Sequence, residues 1–359
     1  MTAGRRAWAE VLYDGADISE GLEPYLLGVT YTDHRGGKAD EVTISLEDRD
    51  ELWRGDWLPG VGATLTVRIH ADDWGEGEGS LLCGTFTLDK LSLAGPPSTV
   101  QLSGVSVPTG LAARKTKRSR AWEQVTLRRV AEDVADSAGL SLVWDVDDDE
   151  LPGVLDRVDQ QGETDLAFLA RLCRDYRLEL KVHDGQLVVW DVTAYEGKDA
   201  VTTYTLGESR VLSWQLDVKA YMYTPKVKVQ YRDPWLGDVQ QATRDEAQAL
   251  RGQSVDDPLG LDDEGMRQSF DDEAAEVIRQ RARSQAEAEA KAKAALLRRQ
   301  EHTVEGSLEV VGDVRLVAAN PIALSGWGKL DGRYLLDRAV HTLGGGGYTV
   351  RAQIKRASP

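Results

Sequence analysis

The sequence predicts an α+β protein that is mainly β, in which two β domains flank a small α+β domain and the second β domain carries an inserted long helix. Two regions of alternating apolar and polar residues enclose a region of helical spacing, and 35 Gly and 11 Pro supply many turns. A length of 359 residues favours two or three domains. We place the domains at residues 7–110, 111–199 and 200–359, and the inserted helix at 272–299.

The first domain shows the period of two that a half-buried strand requires. Apolar and polar side chains alternate in residues 42–47 and 64–69. Turn-forming residues separate the short strands, at Asp14-Gly15, His34 to Lys38, Pro59-Gly60, Gly75 to Gly79 and Gly95-Pro96-Pro97. Many short strands punctuated in this way predict a small barrel or sandwich.

The middle domain changes to a helical period. Thr126 is placed to cap a helix that ends at Gly139, because apolar residues after it recur at i, i+3, i+4 and i+7. Thr164 is placed to cap a second amphipathic helix. A hairpin that turns at Asp184-Gly185 follows this helix. The region is therefore predicted to be a compact α+β unit.

Alternation returns in the last domain, at residues 227–232 and 348–355, with a hairpin bend at Gly344 to Gly347. A polar stretch at 233–266 and the predicted helix 272–299 lie between these strands. The helix is rich in Ala, Glu, Arg, Gln and Lys, so we expect it to lie on a surface or against a partner.

Composition narrows the possible functions. A net charge of -17 argues against a protein that grips a phosphate backbone. The two cysteines, Cys83 and Cys173, are too few for a disulfide framework, so we expect no bridge and synthesis in a reducing compartment. We also expect neither a membrane span nor export by the usual route, because long apolar runs are missing from the sequence.

Catalytic, cofactor-binding and metal-binding residues are not predicted. The acidic run at 145–150 resembles the start of a calcium loop, but Glu150 and Asp156 occupy the positions where such a loop needs Gly and Glu. The five histidines are too far apart in sequence for a zinc motif. The nucleophile elbow Gly-x-Ser-x-Gly is also missing from the sequence.

Two sets of residues are candidates for contacts with a partner or another subunit. The first is a basic run whose local charge opposes the global charge; its members are Arg114, Lys115, Lys117, Arg118 and Arg120. This run is either a solvated linker or an electrostatic contact with an acidic patch of a neighbour. The second set comprises Trp53, Trp57 and Trp327, which lie outside clear core stripes. A sugar-binding platform would use the same residue types.

Five segments in order resemble the late control protein D family of contractile phage tails. These baseplate hub proteins are also similar to the N-terminal part of type VI secretion spike proteins. The segments are KADEVTISLEDRDELWRGDWLPGVGATLTVRI, GTFTLDKLSLAGPPSTVQLSG, KTKRSRAWEQVTLRRVAEDVADSAGL, DQQGETDLAFLARLCRDYRLELKVHDGQLVV and IALSGWGKLDGRYLLDRAVHTLGGGGYTVRAQI. The polar stretch 233–266 has no counterpart in this resemblance.

The resemblance implies a structural protein without a cofactor or an enzymatic activity. Its two β domains would be tube-like barrels, and three copies would form a pseudo-sixfold ring. The ring would join the six-fold tail tube protein to a trimeric spike protein, among other baseplate proteins. DNA would pass through the lumen without specific binding, and an anionic wall would help by repelling phosphates.

The resemblance also implies a location in a virion tail baseplate or a related injection particle, assembled in the bacterial cytoplasm without contact to a membrane. A phage, a tailocin and a secretion system remain alternatives at this point. A tail-associated cell-wall hydrolase or carbohydrate-binding module is the alternative of a different class, because it would use the acidic run and the exposed aromatic residues.

Overall fold

The structure, a computed structural model, describes residues 5–55, 57–60, 62–106, 116–219, 226–232, 239–245, 276–279 and 285–357. It is mostly β, as the sequence predicts. In the first third, the strands are β1 (Arg6–Tyr13), β2 (Ala16–Asp17), β3 (Leu26–His34), β4 (Glu41–Glu47), β5 (Thr64–Asp72), β6 (Gly79–Ala94) and β7 (Thr99–Val105). One short helix, α1 (Ser19–Leu22), lies between β2 and β3.

The middle and last parts contain the remaining elements. The middle part comprises β8 (Lys117–Thr126), α2 (Leu127–Ala138), β9 (Ser141–Asp145), β10 (Val154–Thr164), α3 (Asp165–Arg174), β11 (Leu178–His183), β12 (Gln186–Asp191) and α4 (Val192–Glu196). The last part comprises β13 (Thr203–Thr205), β14 (Val211–Val218), β15 (Lys226–Arg232), β16 (Val239–Asp245), β17 (Glu276–Arg279), α5 (Gln285–Glu301), β18 (Val304–Val311), β19 (Pro321–Ser325), β20 (Gly332–Gly344) and β21 (Gly347–Arg356).

One large sheet of 13 strands runs through the first and last parts of the chain. Its path is β14-β18-β21-β20-β3-β4-β7-β6-β5-β1-β2, and β13 and β19 branch from β20. The first eight strands of this path are paired antiparallel throughout, and we call them the wall. The two predicted β domains meet within the wall, where β3 pairs with β20 and Tyr31 lies opposite His341.

A single apolar core lies against one face of the wall and includes residues from both ends of the chain. Val42 and Ile44 of β4 are fully buried in it, as the alternation predicts, together with Val350 of β21. The opposite face carries the polar members of the same alternating strands. The division of this structure into two separate tube-like barrels stays a prediction.

The middle part forms a mixed unit with its own core. Thr126 and Thr164 accept hydrogen bonds from the backbone N–H of Arg129 and Ala167, so both predicted N-caps are confirmed. Gly139 ends α2 in the left-handed conformation, as predicted. The two helices pack on a three-stranded sheet in which β9 pairs parallel with β12, and β8 pairs with β10 in a separate ribbon.

The predicted helix 272–299 is wrong at its start. Residues 276–279 form β17, which pairs parallel with β15, and the described helix α5 spans Gln285–Glu301. Two β-branched residues, Val277 and Ile278, lie in β17, and such residues favour a strand when a partner strand is available. The polar stretch 233–266 contains β16; its other residues lie outside the described part of the chain.

The sequence predicts that this helix lies on a surface or against a partner. In the structure, one face of α5 packs inside its own chain, and a contact with a partner stays a prediction. Ala288, Ala292 and Leu296 recur at helical spacing and are fully buried within this chain. Small alanine side chains let the helix backbone approach its neighbours closely, so an alanine-rich face packs well although its mean hydropathy is low. Tyr176 of the mixed unit donates a hydrogen bond to Glu287 of α5 over 3.4 Å.

The two ends of the wall differ in what they carry. The hairpin end holds the β6-β7 and β20-β21 turns, because Gly28 pairs with Gly344 and Glu47 pairs with Thr99 there. At the other end, which we call the joint end, the mixed unit and α5 contact the end of β3 and the turn after it, whose residues 35–40 we count with the wall. Among the described residues, none of the helices combines the length and apolar character needed to cross a membrane.

Candidate assembly interface

The wall has an edge without a strand partner at each end of its path. Strand β6 pairs with β5 only up to Thr87, whereas its second half pairs with β7 alone. Within the described residues, the backbone from Asp89 to Ala94 therefore has one unpaired edge, which we call the β6 edge. In the described part of the chain, strand β14 pairs with β18 alone, and its outer side is the β14 edge. Unpaired edges are templates for pairing with another chain.

Both edges carry apolar side chains on the face that belongs to the core. On β6, Leu93 lies opposite the buried Val100, yet 46% of its surface is exposed. On β14, Trp214 and Val218 lie opposite buried residues of β18 but are 47% and 48% exposed. These side chains lie on the core face, and a neighbouring strand would cover them.

The opposite faces of both edges are polar. Ser92 lies opposite Gln101 on the β6 side, and Gln215 lies opposite Ser307 on the β14 side. The eight strands of the wall alternate in direction, so β6 and β14 run in opposite directions. Rotation about an axis parallel to the strands would bring β6 of one copy antiparallel to β14 of the next. The two edges thus match in strand direction and in the placement of apolar and polar faces.

An apolar cavity of about 720 Å³ lies on the core side of the wall, beside the β6 edge. We call it the Trp57 cavity; its lining includes Leu22, Trp53, Trp57, Leu58, Leu65, Leu88 and Leu102. Trp57 is 37% exposed and is fixed by edge-to-face contacts with Trp53 and Tyr25, each with ring centroids 5.7 Å apart. Trp53 itself is buried, so Trp57 rather than Trp53 offers surface to a partner.

The third tryptophan of the predicted set belongs to the core. Trp327 is buried and packs edge-to-face against Trp214, with ring centroids 5.9 Å apart. Trp214 was not among the residues selected from the sequence. It lies in a strand of mixed polarity whose edge position became evident only from the pairing of strands. A partner contact at these tryptophans stays a prediction.

The basic run makes contacts within its own chain. Arg118 and Arg120 lie 3.4 and 2.8 Å from the buried carboxylate of Asp165, the first residue of α3. Lys117 is exposed at the start of β8, while Arg114 and Lys115 lie outside the described residues. A carboxylate at a helix N-terminus interacts favourably with the helix dipole, and the two arginines balance its charge. The contact of the run with a neighbouring subunit stays a prediction.

Buried charges join the mixed unit to the wall at the joint end. Lys181 of β11 forms ion pairs with both Asp33 and Asp40, and His183 lies 3.3 Å from Asp40. Burial raises the pKa of Asp40, but the contacts with His183 and Lys181 outweigh it, so this pKa is lowered overall. Burial dominates at Asp33 and raises the pKa of that carboxyl.

A second set of buried charges joins three parts of the chain. Arg35 of the wall forms an ion pair with Glu301 of α5 and lies 3.5 Å from Glu179 of the mixed unit and 3.6 Å from Asp337 of β20. Burial raises the pKa of Glu301. The charges of Arg35 and Arg177 lower this pKa by more than burial raises it, so the net shift is downward. Together with Lys181 and its partners, these residues form what we call the ionic joint.

Sequence analysis did not identify the ionic joint. Its members lie in the wall, the mixed unit and α5, and Arg35 and Glu301 are separated by 266 positions. A weak signal was present in β11, where Leu178, Leu180 and Val182 are apolar and the residues between them are charged. That alternation indicates that one face of β11 is polar, but it does not show which residues this face contacts.

The acidic run at 145–150 is engaged in local contacts. Asp147 accepts a hydrogen bond from the backbone of Asp149, and Asp148 accepts one from Trp144. Tyr195 donates to Asp145 over 2.9 Å. In the described part of the chain, groups of His, Cys, Asp and Glu that fit a metal ion do not occur. Cys83 and Cys173 are free and buried, and burial raises the pKa of both thiols.

Comparison with known families decides what kind of protein carries these features. The model of the phage tail baseplate hub (GPD) family matches residues 42–347. The chain belongs to this family. The resemblance inferred from the sequence is therefore confirmed, and the match extends from the wall through the mixed unit to the hairpin of β20 and β21.

Curated hub proteins match about half of the chain. The probable baseplate hub protein of Escherichia phage P2 is 29% identical over 180 residues, which are 50% of this chain and 43% of that protein. The corresponding protein of Escherichia phage 186 is 27% identical over 172 residues, covering 48% of this chain and 42% of its own length. The aligned part thus spans less than half of each curated relative.

Solved structures of low sequence identity share this fold along nearly the whole chain. The 43 kDa tail protein of prophage MuSo2 from Shewanella oneidensis has a TM-score of 0.67 at 13% identity, covering 98% of this chain and 99% of that one. The tail protein of Neisseria meningitidis MC58 gives the same score and identity, covering 98% and 96%. An Escherichia coli component of the type VI secretion system has a TM-score of 0.56 at 9% identity, covering 93% and 74%.

Proposed function

We propose that this hub protein is a non-enzymatic ring component that joins the six-fold tail tube to a trimeric spike. Three copies would close head to tail around a central lumen. Its work would be done by assembly, in the tail baseplate of a virion or in a related injection particle. The family assignment supports the role of a structural hub, and the geometry of the wall supports the ring.

The pair of complementary free edges carries this proposal. Among the residues that the structure describes, the β6 and β14 edges of a single copy stay unpaired, with large apolar side chains half exposed on both. The two edges differ from each other, so they favour a head-to-tail contact, and such contacts close into a ring when the rotation between copies fits. Closure covers both free edges of the wall, which is how barrels avoid uncontrolled pairing.

The different ends of the wall suit a symmetry adapter. The hairpin end presents one turn from each part of the wall, β6-β7 and β20-β21, so three copies would offer six similar features to a six-fold tube. The joint end carries one mixed unit per chain, so three copies would offer three features to a trimeric spike. We therefore propose that the hairpin end contacts the tube protein and the joint end contacts the spike.

The polar face of the wall is the proposed lining of the lumen. It is rich in hydroxyl and amide side chains, such as Thr30, Ser45 and Gln101. Charges of both signs occur on it, and Arg351 lies 3.0 Å from Glu309. The passage of DNA without specific binding would then rest on a neutral polar lining of paired charges, in place of the anionic wall expected from the net charge.

Light scattering of the full chain, alone and mixed with the tube and spike proteins of the same tail, tests this proposal. We expect a mass of three copies, and electron microscopy of the mixture should show a ring between the tube and the spike. A chain that stays monomeric at high concentration with both partners present would overturn the proposal. A purified ring that degrades bacterial cell wall would overturn the non-enzymatic assignment.

A further inference from the structure

The Trp57 cavity is a preformed apolar space on the core side of the first part of the wall. Its walls come from α1, from the segment between β4 and β5, and from the core face of β5, β6 and β7. The backbone N–H of Gly60 donates to the Tyr13 hydroxyl over 3.2 Å, which ties the segment around Trp57 to β1. With its rim held in this way, the cavity is available without rearrangement.

The cavity lies beside the β6 edge on the core side of the wall. Leu88 lines the cavity, and it is also the first residue of β6 beyond the pairing with β5, which ends at Thr87. Leu102, another lining residue, lies directly opposite Leu91 in the free half of β6. A strand that pairs with the β6 edge would therefore project its core-face side chains toward the cavity.

Trp214 is the large apolar side chain on the core face of the complementary edge. It lies opposite the fully buried Leu308 on β18, yet it remains 47% exposed because β14 is the last strand of the path. Trp327 supports one side of its ring, which holds the indole in one orientation. A half-exposed aromatic anchor of this kind is typical of the residues that dominate binding energy in protein interfaces.

We propose that Trp214 of one copy inserts into the Trp57 cavity of the next copy and fixes the contact between neighbouring copies. This inference rests on the proposed ring and specifies the contact that closes it. The occupant is a second copy of this chain. When β14 pairs with the β6 edge, the two strands are antiparallel and their apolar side chains lie on the same face. Indole against indole would also give the edge-to-face packing already seen between Trp53 and Trp57.

Two substitutions test the anchor from both sides. Trp214→Ala removes the proposed occupant, and Gly21→Phe places a ring in the cavity lining, where a side-chain β-carbon on Gly21 would meet no atom within 4 Å. Each should raise the concentration at which trimers form by about tenfold or more. The double variant should form trimers at the same concentration as the more strongly impaired of the two single variants, because both changes remove the same contact.

Matched controls separate this contact from general surface effects. Leu206→Ala removes an apolar side chain that is 43% exposed and lies outside both edges, and Leu206→Phe places a ring at the same exposed position. Both should trimerise as the unmodified chain does. Circular dichroism and thermal unfolding check that each variant folds, and Leu58→Glu replaces Gly21→Phe if the latter does not.

Fluorine NMR gives a second readout. The chain labelled with 5-fluorotryptophan should show a resonance, assigned by its loss in Trp214→Phe, that shifts when trimers form. Undiminished trimerisation of Trp214→Ala would overturn the anchor and leave the proposed ring intact. If the unmodified chain never forms a trimer with its partners, the ring and the anchor are both refuted.

Discussion

Lys181 Nζ of the mixed unit lies 2.8 Å from Asp40 Oδ2 of the wall, in a place where the aspartate side chain is fully buried. Asp40 also accepts a hydrogen bond from the backbone of His34, and Ser106 donates to the carbonyl of Val182 close by. The contact between the two units is thus polar and specific, which fixes one orientation of the mixed unit on the wall. In the proposed ring, this orientation would set the geometry of the spike-facing end.

Removal of the Lys181 ammonium group should be strongly destabilising. Lys181→Met leaves the carboxylates of Asp33 and Asp40 buried without their cation, which costs about 3 kcal/mol in the free energy of unfolding. Urea denaturation measures this change. The control Lys329→Met alters an exposed lysine and should stay within about 0.5 kcal/mol of the unmodified chain. Equal stability of both variants would show that the ionic joint does not hold the units together.

The ionic joint should weaken in acid. Burial opposes ionisation of Glu301 and Asp337, but Arg35 and its neighbouring cations lower the pKa of both carboxyls below the ordinary 4.5 and 3.8. A carboxyl with a lowered pKa in the folded state contributes stability above its ordinary pKa and loses it as pH falls. The free energy of unfolding should therefore decrease below about pH 4.5. The raised pKa of Asp33 acts in the opposite direction and offsets part of this loss.

Arg35→Met tests the source of this acid sensitivity. Without the guanidinium group, Glu301 loses its main partner, so its pKa in the folded state should rise. The variant should be less stable than the unmodified chain at pH 6 and should lose less stability between pH 6 and pH 3. Urea denaturation across this range measures both profiles. Parallel profiles would assign the acid sensitivity to groups outside the ionic joint.

His341 should cause a separate loss of stability at a higher pH. It is fully buried between Tyr31 and Tyr348; its Nε2 donates to the Leu316 carbonyl over 2.9 Å, and its Nδ1 lies 2.7 Å from the Tyr348 hydroxyl. Burial lowers the pKa of His341 from 6.5 to about 4. Between pH 6.5 and 4, His341 is protonated in the unfolded chain but stays neutral in the folded chain. The free energy of unfolding therefore falls by about 3 kcal/mol over this range.

An NMR titration of His341 measures this pKa directly. His341→Gln removes the titrating ring and should remove the His341 part of the loss between pH 6.5 and 4, while His34, whose pKa burial also lowers, keeps its own part. The variant should also lower stability at pH 7 because the core is packed around imidazole. The acid loss from the carboxylates below pH 4.5 should remain in this variant. A ring that titrates near 6.5 in the folded chain would contradict the prediction.

Local features could be predicted from the sequence because their causes lie within a few residues. Thr126 caps α2 and Gly139 ends it through contacts that span one helical turn, so the pattern itself contains the signal. The strand at 42–47 shows its buried face by alternation alone. The family resemblance rested on the order of such local patterns.

Contacts between distant parts of the chain could not be predicted in the same way. The pairing of Tyr31 with His341 joins residues about 300 positions apart, and one sequence contains no signal for that partnership. The predicted helix 272–299 included Val277 and Ile278, since helix-forming residues dominate the segment, but a parallel strand recruited them into a sheet. The free edges, the Trp57 cavity and the ionic joint all depend on such long-range pairing.

A single charge on either edge should prevent ring closure without unfolding the chain. Leu93→Lys and Val218→Lys replace core-face side chains that are 46% and 48% exposed in one copy, so each lysine reaches water and folding stays within about 0.5 kcal/mol. In the ring the same ammonium groups would be buried beside apolar side chains, which is costly. Light scattering should show monomers for each variant, and trimers for the control Leu206→Lys.

A mixture of the two edge variants should form dimers and stop there. Leu93→Lys keeps an intact β14 edge, and Val218→Lys keeps an intact β6 edge, so one good junction connects the two chains. The outer edges of that dimer both carry lysine, which prevents the addition of a third copy. Native mass spectrometry of an equimolar mixture should therefore show a one-to-one complex that neither variant forms alone. Trimers in the mixture, or dimers of a single variant, would contradict head-to-tail pairing, because only two unlike edges produce this pattern.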